Sequence, residues 1–310
     1  MEQELNDPWL VAVWPGMGGI AQIAGATLVQ QLGARRMAEI RPEPYFDPSS
    51  IQVSGGLIRP GALPKSVFFA WKNPSGGRDL VVFVGEQQPT DKVRSYCNEL
   101  VTVALELGVR RLFTFAAMAS PIRPDDEPRV FFAATDPELL AEVKSLGVAP
   151  LEEAGISGLN GVLLAVAHER GLEGVCLLGE FPFFARAIAN PKSSAAVLRT
   201  FGSLSGITPE LGPLEEQASQ VERVLVDHMR ALEAAAAQAS ETANGGKSEV
   251  PEDWPKPERL DPEVAARIED LFTRSKADRS KALELKAELD RHGVFEKFED
   301  RFLDLFKQAE

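Results

Sequence analysis

The 310-residue chain has two cysteines, Cys97 and Cys176, and three histidines, His168, His228 and His292. Two cysteines make neither a disulfide framework nor, alone, a tetrahedral zinc site, and the histidines stand singly without metal-ligand spacing. No metal is expected. Positive charge is also scarce: 33 Lys and Arg face 46 Asp and Glu, for a net charge of −13. Such a surface repels nucleic-acid phosphates and anionic membranes, so neither is an expected partner. No apolar run approaches the ~18 residues that a membrane-crossing helix needs. Met1 to Pro8 lack the basic and apolar regions of a signal peptide, which makes a cytoplasmic location the expectation. The sequence contains no G-x-S-x-G elbow, no G-x-x-x-x-G-K-S/T loop and no H-E-x-x-H helix, so hydrolase, P-loop and zincin chemistry have no carrier.

What is present is the ordinary balance of a folding chain, 44% hydrophobic and 25% charged. Short apolar runs rich in β-branched and aromatic residues recur at Trp9 to Trp14, Ser66 to Trp71, Leu80 to Val84, Arg111 to Ala117, Val130 to Ala134 and Gly174 to Leu178. Continuous runs of this kind suit strands buried on both faces. Helical patterns alternate with them at Gly19 to Leu32, Asp91 to Leu107, Asp136 to Leu146, Leu159 to Arg170, Pro191 to Leu204 and Pro213 to Ala235. The alternation predicts an α/β fold, a mostly parallel sheet with helices on both faces.

Charge density divides the chain, with 28 charged residues among the last 60 against 51 in the first 250. An alanine tract passing through Gly245-Gly246 to Pro251, Pro255 and Pro257 marks the change. The expected organisation is an α/β domain over 1–236, a flexible linker over 237–258 and a small all-helical extension over 259–310. In the extension, Asp261-Pro262-Glu263 is a strong helix start, and Phe295, Phe298, Phe302 and Phe306 share one face of a last helix.

The most suggestive local pattern is Trp14-Pro15-Gly16-Met17-Gly18-Gly19-Ile20-Ala21, a strand turning through glycines into a helix. It satisfies G-x-G-x-x-A. In a dinucleotide site Gly16 would form the tight turn, Gly18 would let the backbone approach a pyrophosphate, Ala21 would pack helix on strand, and Glu39 would meet a ribose. Pro15 removes a donor from that loop, and the prolines at 42, 44 and 48 interrupt the next βα unit, so a structural tight turn is the plainer reading. No cofactor is expected.

A second constellation comes from two strand ends, Gly85-Glu86 and Gly179-Glu180, because open α/β sheets bind ligands beyond the carboxyl ends of their strands. Facing one crevice, Glu86 and Glu180 would share a proton or hold an amine. Ser157 or Asn160, in the run Gly155 to Gly161, would cap the following helix or form an anion nest. Gly16, Gly18, Glu86, Ser157, Asn160 and Glu180 are therefore the candidate ligand crevice. No catalytic residue is assigned. Phe181-Pro182-Phe183-Phe184 reads as an apolar loop, and Phe181, Phe183 and Phe184, with Phe302 and Phe306, are the candidate partner surface.

Three segments together resemble the proteasome assembly chaperone family of the second-subunit type: Pro15-Gly16-Met17-Gly18, the run Gly155 to Gly161 with its helix ending Ala167-His168-Glu169-Arg170-Gly171, and Gly174 to Glu180. The resemblance covers roughly 8–236, and 278–306 looks like the helical extension carried by some prokaryotic members. It implies a nucleoside-phosphorylase-like α/β fold without established catalysis, acting through protein contacts as a homo-oligomer, with proteasome α-subunits as partners. Some archaeal relatives dock through a terminal hydrophobic residue followed by tyrosine and one more residue; this sequence ends Phe306-Lys307-Gln308-Ala309-Glu310 instead. The expected function is a non-catalytic binding or assembly factor. The alternative is a small-molecule or nucleotide-binding α/β enzyme using the crevice at the strand ends.

Overall fold

The computed structural model describes residues 4–47, 51–152, 156 and 158–243, and beyond them 267, 268, 270–272, 274, 275, 281, 284, 285, 288 and 289. The chain divides into two compact units, Met1–Ala236 and Ala237–Glu310.

Among the described residues up to Ala243 the strands and α-helices follow in the order β1 (Trp9–Val13), α1 (Ile20–Gln31), β2 (Arg35–Glu39), β3 (Ile51–Ser54), β4 (Leu57–Pro60), β5 (Ser66–Trp71), β6 (Leu80–Gly85), α2 (Val93–Glu106), β7 (Arg111–Ser120), β8 (Val130–Ala134), α3 (Pro137–Ser145), β9 (Ala149–Pro150), α4 (Leu159–Glu169), β10 (Glu173–Pro182), α5 (Pro191–Ser205) and α6 (Gly212–Ala243). Eight strands form one sheet in the order β2-β5-β6-β1-β7-β10-β8-β9. Its centre, β6-β1-β7-β10, is parallel throughout. β8 runs antiparallel to β10, and β5 is antiparallel to both β2 and β6.

Strand alternation splits the core into two layers. Trp9, Val11 and Val13 of β1 face a cluster completed by Ile20 and Leu28 of α1, Leu139 of α3, Val197 and Phe201 of α5 and Leu225 of α6. Leu10 and Ala12 point the other way, with Trp14, into a cluster holding Tyr96 and Leu100 of α2 and Leu163 and Val166 of α4. The α/β class with helices on both faces is therefore the observed one. Aromatic rings tie strand to helix: Phe113 lies 5.2 Å from Trp9 and 5.2 Å from Phe201.

Local chemistry sets the helix starts. The Asp136 carboxylate accepts from the Leu139 amide at 2.8 Å with Pro137 in the first turn of α3. The Asn190 side chain does the same for the Ser193 amide at 3.0 Å, and left-handed Gly206 closes α5. α2 departs from the expected Asp91 start: Lys92 precedes it in a left-handed conformation, and Asp91 accepts from the Lys92 amide instead.

Both edges of the large sheet are blunted against further pairing. β2 carries Arg35 and Arg36 and shifts register between Arg36 and Ala38, while β9 is two residues long and includes Pro150. β3 and β4 stand apart as a two-stranded hairpin. Its turn, Gly55-Gly56, has both φ angles positive, at 60° and 78°, which suits a tight hairpin turn. Opposed pairs Ile51↔Pro60 and Val53↔Ile58 share one face, and Ile51, Val53, Leu57 and Ile58 are between 60% and 71% exposed. The expected strands omit this hairpin, although a Gly-Gly pair between alternating apolar residues is a hairpin signal.

Two strands overrun their expected ends. β7 continues to Ser120 and β10 to Pro182, paired with one another all the way. Phe181 and Pro182 are thus strand residues, which corrects the loop reading. α6 also runs to Ala243, into the stretch expected as linker.

In the second unit the described residues of 267–275 and 284–289 are helical. Ile268, Leu271, Phe272, Leu285 and Leu289 are buried, and the Arg267 guanidinium lies 3.2 Å from the Glu288 carboxylate. Phe302, Phe306 and most of the expected linker lie outside the described residues. No helix among the described residues is long and apolar enough to cross a membrane.

Candidate functional site

The glycine turn after β1 is held by its own backbone. Gly16 is extended, at φ −161°, whereas Gly18 and Gly19 are left-handed, at φ 61° and 60°. The Gly18 amide donates to the Arg186 carbonyl at 2.9 Å, its carbonyl accepts from the Asn190 amide at 2.7 Å, and the Gly19 amide donates back to Gly16 at 3.1 Å. Amides that a pyrophosphate would need are already spent stapling the turn to the segment before α5. The close helix-to-strand approach assigned to Ala21 falls to Gly25: a Cβ built there would lie 2.4 Å from Val13 Cγ2.

Beyond this turn lies a cleft. β7 loses its β1 neighbour after Thr114, so the main-chain edge at Phe115–Ala117 is left open on that side. The chain leaves β1 into α1 on one face of the sheet and leaves β6 into α2 on the other, the arrangement that opens a crevice in doubly wound sheets. The space measures about 370 Å³ and is walled by Trp14, Met17, Phe115 and Leu178, with Gly16, Gln88 and Asn160 at its polar points. Among the described residues no acidic or basic side chain lines it.

Gln88 joins the two rims. Its side-chain nitrogen donates to the Pro15 carbonyl at 3.0 Å, and its oxygen accepts from the Leu159 amide, the first of α4, at 3.1 Å. The cap expected from Ser157 or Asn160 therefore comes from a residue 71 positions earlier, and no side chain caps from the Gly158 position itself. Ser157 lies outside the described residues. The Asn160 side chain makes no hydrogen bond among the described residues and faces the cleft.

The six candidate crevice residues are thus not one cluster. Gly16 and Asn160 line the cleft, and Gly18 supports it from the turn. Glu86 is exposed at the end of β6, where it accepts from the Lys65 amide at 2.9 Å. β6 and β10 are separated by β1 and β7, about 14 Å at the usual strand spacing, so Glu86 and Glu180 do not share a proton. Glu180 is inside β10 rather than at its end. Its side chain is 1% exposed, and it accepts from the Arg129 guanidinium at 2.8 and 3.0 Å and from the Arg129 amide at 3.2 Å. Those hydrogen bonds, helped by Ser120, outweigh burial and hold the carboxyl below its ordinary range, so it stays ionised as a structural anion. Burial pushes the Cys97 and Cys176 thiols up to about 12, which leaves neither a ready nucleophile. Among the described residues no cluster of His, Cys, Asp and Glu could hold a metal.

Of the partner-surface candidates, Phe181 is fully buried in the α1/α5 layer and belongs to the core. Phe183 is 40% exposed and meets half-buried Phe184 edge to face at 5.9 Å. Met17, at the cleft rim, is also 40% exposed.

A mostly parallel sheet covered by helices on both faces, with a cleft beyond β1 and an ion-paired Glu180 inside β10, defines an α/β protein of the doubly wound kind. The PAC2 family model matches residues 10–229, and the chain belongs to that family, as the glycine turn, the α4 entry and β10 suggested. An uncharacterized protein of Methanocaldococcus jannaschii is 25% identical over 226 residues, 72% of this chain and 83% of that protein. Among solved structures, Pyrococcus furiosus PbaB, an archaeal proteasome activator, matches with a TM-score of 0.63 at 25% identity, over 74% of this chain and 96% of that one. A proteasome-assembly chaperone homologue of Mycobacterium tuberculosis shares the fold, with a TM-score of 0.62 at 24% identity over 71% and 94% of the two chains.

Proposed function

We propose that the chain is a non-catalytic binding and assembly factor that works as a homo-oligomer, with proteasome α-subunits as its partner. Membership of the PAC2 family over residues 10–229, together with the likeness to PbaB, carries this reading. The site chemistry agrees with it. Acid–base work needs a titratable pair poised near the working pH, and here the one buried acid of the expected pair is ion-paired while its supposed mate is an exposed residue three strand spacings away.

Since both edges of the large sheet are blunted, side-chain surfaces are the favoured contacts between subunits. The Phe183–Phe184 pair and the apolar face of the β3–β4 hairpin are the exposed patches suited to that. The test is affinity capture of the tagged protein from its own organism after mild crosslinking, read by mass spectrometry beside the native mass. Recovery of proteasome α-subunits with an oligomeric native mass is the expected result. A monomer that captures no α-subunit refutes it. Phe183→Ser with Phe184→Ser should lower the native mass or abolish capture; if both stay unchanged, that surface assignment falls.

A further inference from the structure

We propose that the cleft beyond β1 is a binding site for an uncharged small molecule with an apolar body and one amide-like hydrogen-bonding group. Its volume, about 370 Å³, falls within the roughly 300–1,000 Å³ of small-molecule sites. Its walls supply the apolar part. Met17 at the rim is 40% exposed, and partly exposed Ala116, Ala117 and Ile156 line the space over the buried side chains of Trp14, Phe115 and Leu178.

Among the described residues, polar recognition is supplied by neutral groups only. The Asn160 carboxamide has no hydrogen-bond partner among the described residues, and the β7 main chain past Thr114 has no strand beside it there. A carboxamide offers one acceptor and two donors, and an open strand edge offers more of both. A phosphate or carboxylate entering the same space would shed its hydration with no cation to meet it, which excludes charged ligands on cost. A nucleotide, the ligand that a dinucleotide-type glycine loop would hold, is therefore the wrong chemistry for this cleft.

The site is also preformed. Gln88 ties the Pro15 rim to the first turn of α4, so the walls need little ordering when a ligand enters. Gly16 leaves the mouth clear: a Cβ there would have no atom within 4 Å, and its φ of −161° is one that any residue adopts. A larger side chain at 16 is thus accommodated at the mouth of the cleft without straining the backbone.

The experiment titrates the full-length chain with N-phenyl-1-naphthylamine, a neutral aromatic amine whose emission rises in apolar surroundings. Saturable binding at one site per chain is expected. Gly16→Leu should weaken it by about tenfold or more, and Asn160→Ala by about fivefold for the lost hydrogen bond. Ile58→Ser, which alters the exposed hairpin, should leave it unchanged. Anilinonaphthalene sulfonate, similar in size but anionic, should bind this site at least about tenfold more weakly. If Gly16→Leu does not fold, Ala117→Leu fills the cleft from the β7 side and replaces it. Non-saturable emission, unchanged affinity in the folded filling variant, or equal binding of the sulfonate overturns the proposal. So does displacement of the probe by acetyl-Leu-Phe-amide but not by benzamide, which would give the cleft to a protein partner's side chains.

Discussion

Gly25→Ala is the sharpest test of how the glycine turn is mounted. The new methyl would sit 2.4 Å from Val13 Cγ2 and 3.2 Å from Cγ1, and ordinary contact begins at about 3.4 Å. Val13 cannot give way, because it is fully buried, β-branched, and held in register with Val84 of β6. α1 must therefore retreat by an ångström or more, against the Ser194 hydroxyl that donates to the Ile20 carbonyl at 3.1 Å and the Gly18 amide that donates to Arg186. Overpacking costs about 1–3 kcal/mol, and a strained or lost hydrogen bond about 1 kcal/mol. Replacing glycine by alanine inside a helix returns about 1 kcal/mol. The balance is a loss of roughly 1–3 kcal/mol. Urea unfolding followed by tryptophan emission, to which buried Trp9 and Trp14 contribute, should show a lower midpoint at an unchanged slope. Val13→Ala should cost about 2–3 kcal/mol alone, yet the double variant should lose about 1–2 kcal/mol less than the sum. A midpoint that rises, as helix propensity alone predicts, or strict additivity in the cycle, refutes the close-approach argument.

Three further outcomes follow from other contacts. Glu180 has its pKa lowered in the fold by the Arg129 hydrogen bonds, so its contribution is present above the ordinary carboxylate value of 4.5 and is lost as pH falls through the lower folded value. Wild type and Glu180→Gln should differ most in melting temperature near pH 7 and converge on acidification; a constant gap down to pH ~3 counts against the ionised pair. Gln88→Ala removes both rim hydrogen bonds and should cost about 1–2 kcal/mol while speeding amide hydrogen exchange in the first turn of α4; unchanged exchange there would show that the cap lies elsewhere. Val53→Ser with Ile58→Ser should change monomer stability by no more than about 0.5 kcal/mol, since both side chains are exposed, but should lower the native mass by light scattering; an unaltered mass clears the hairpin of a role in assembly.

The layered sheet was legible because its strands are nearly pure apolar runs and its helices carry their own punctuation, such as Asp136-Pro137 and Asn190-Pro191. The ends of β7 and β10 were not. Gly179-Glu180 breaks the apolar run, yet the strand continues because glycine is needed where a Cβ would come within 2.9 Å of Val197, and because Arg129, from the loop before β8, neutralises the acid. Gly16 and Asn160 could be singled out locally, but their joining depends on Gln88, and nothing around a lone glutamine announces a cap for a helix 71 residues on. The pairing of Glu86 with Glu180 failed for a topological reason: strand ends look alike in sequence, and only the strand order sets them three spacings apart.

The closed flanks of the sheet bear on the company this molecule keeps. In the assembly role proposed above, the protein would be repeatedly exposed to strands that have not yet found their neighbours. Bare strand edges would be extended by such segments into open-ended stacks. The register shift at Met37 and the proline in β9 stop that growth at both ends. Contacts are left to side chains, which part as readily as they meet, so an encounter can end in release instead of a fibre.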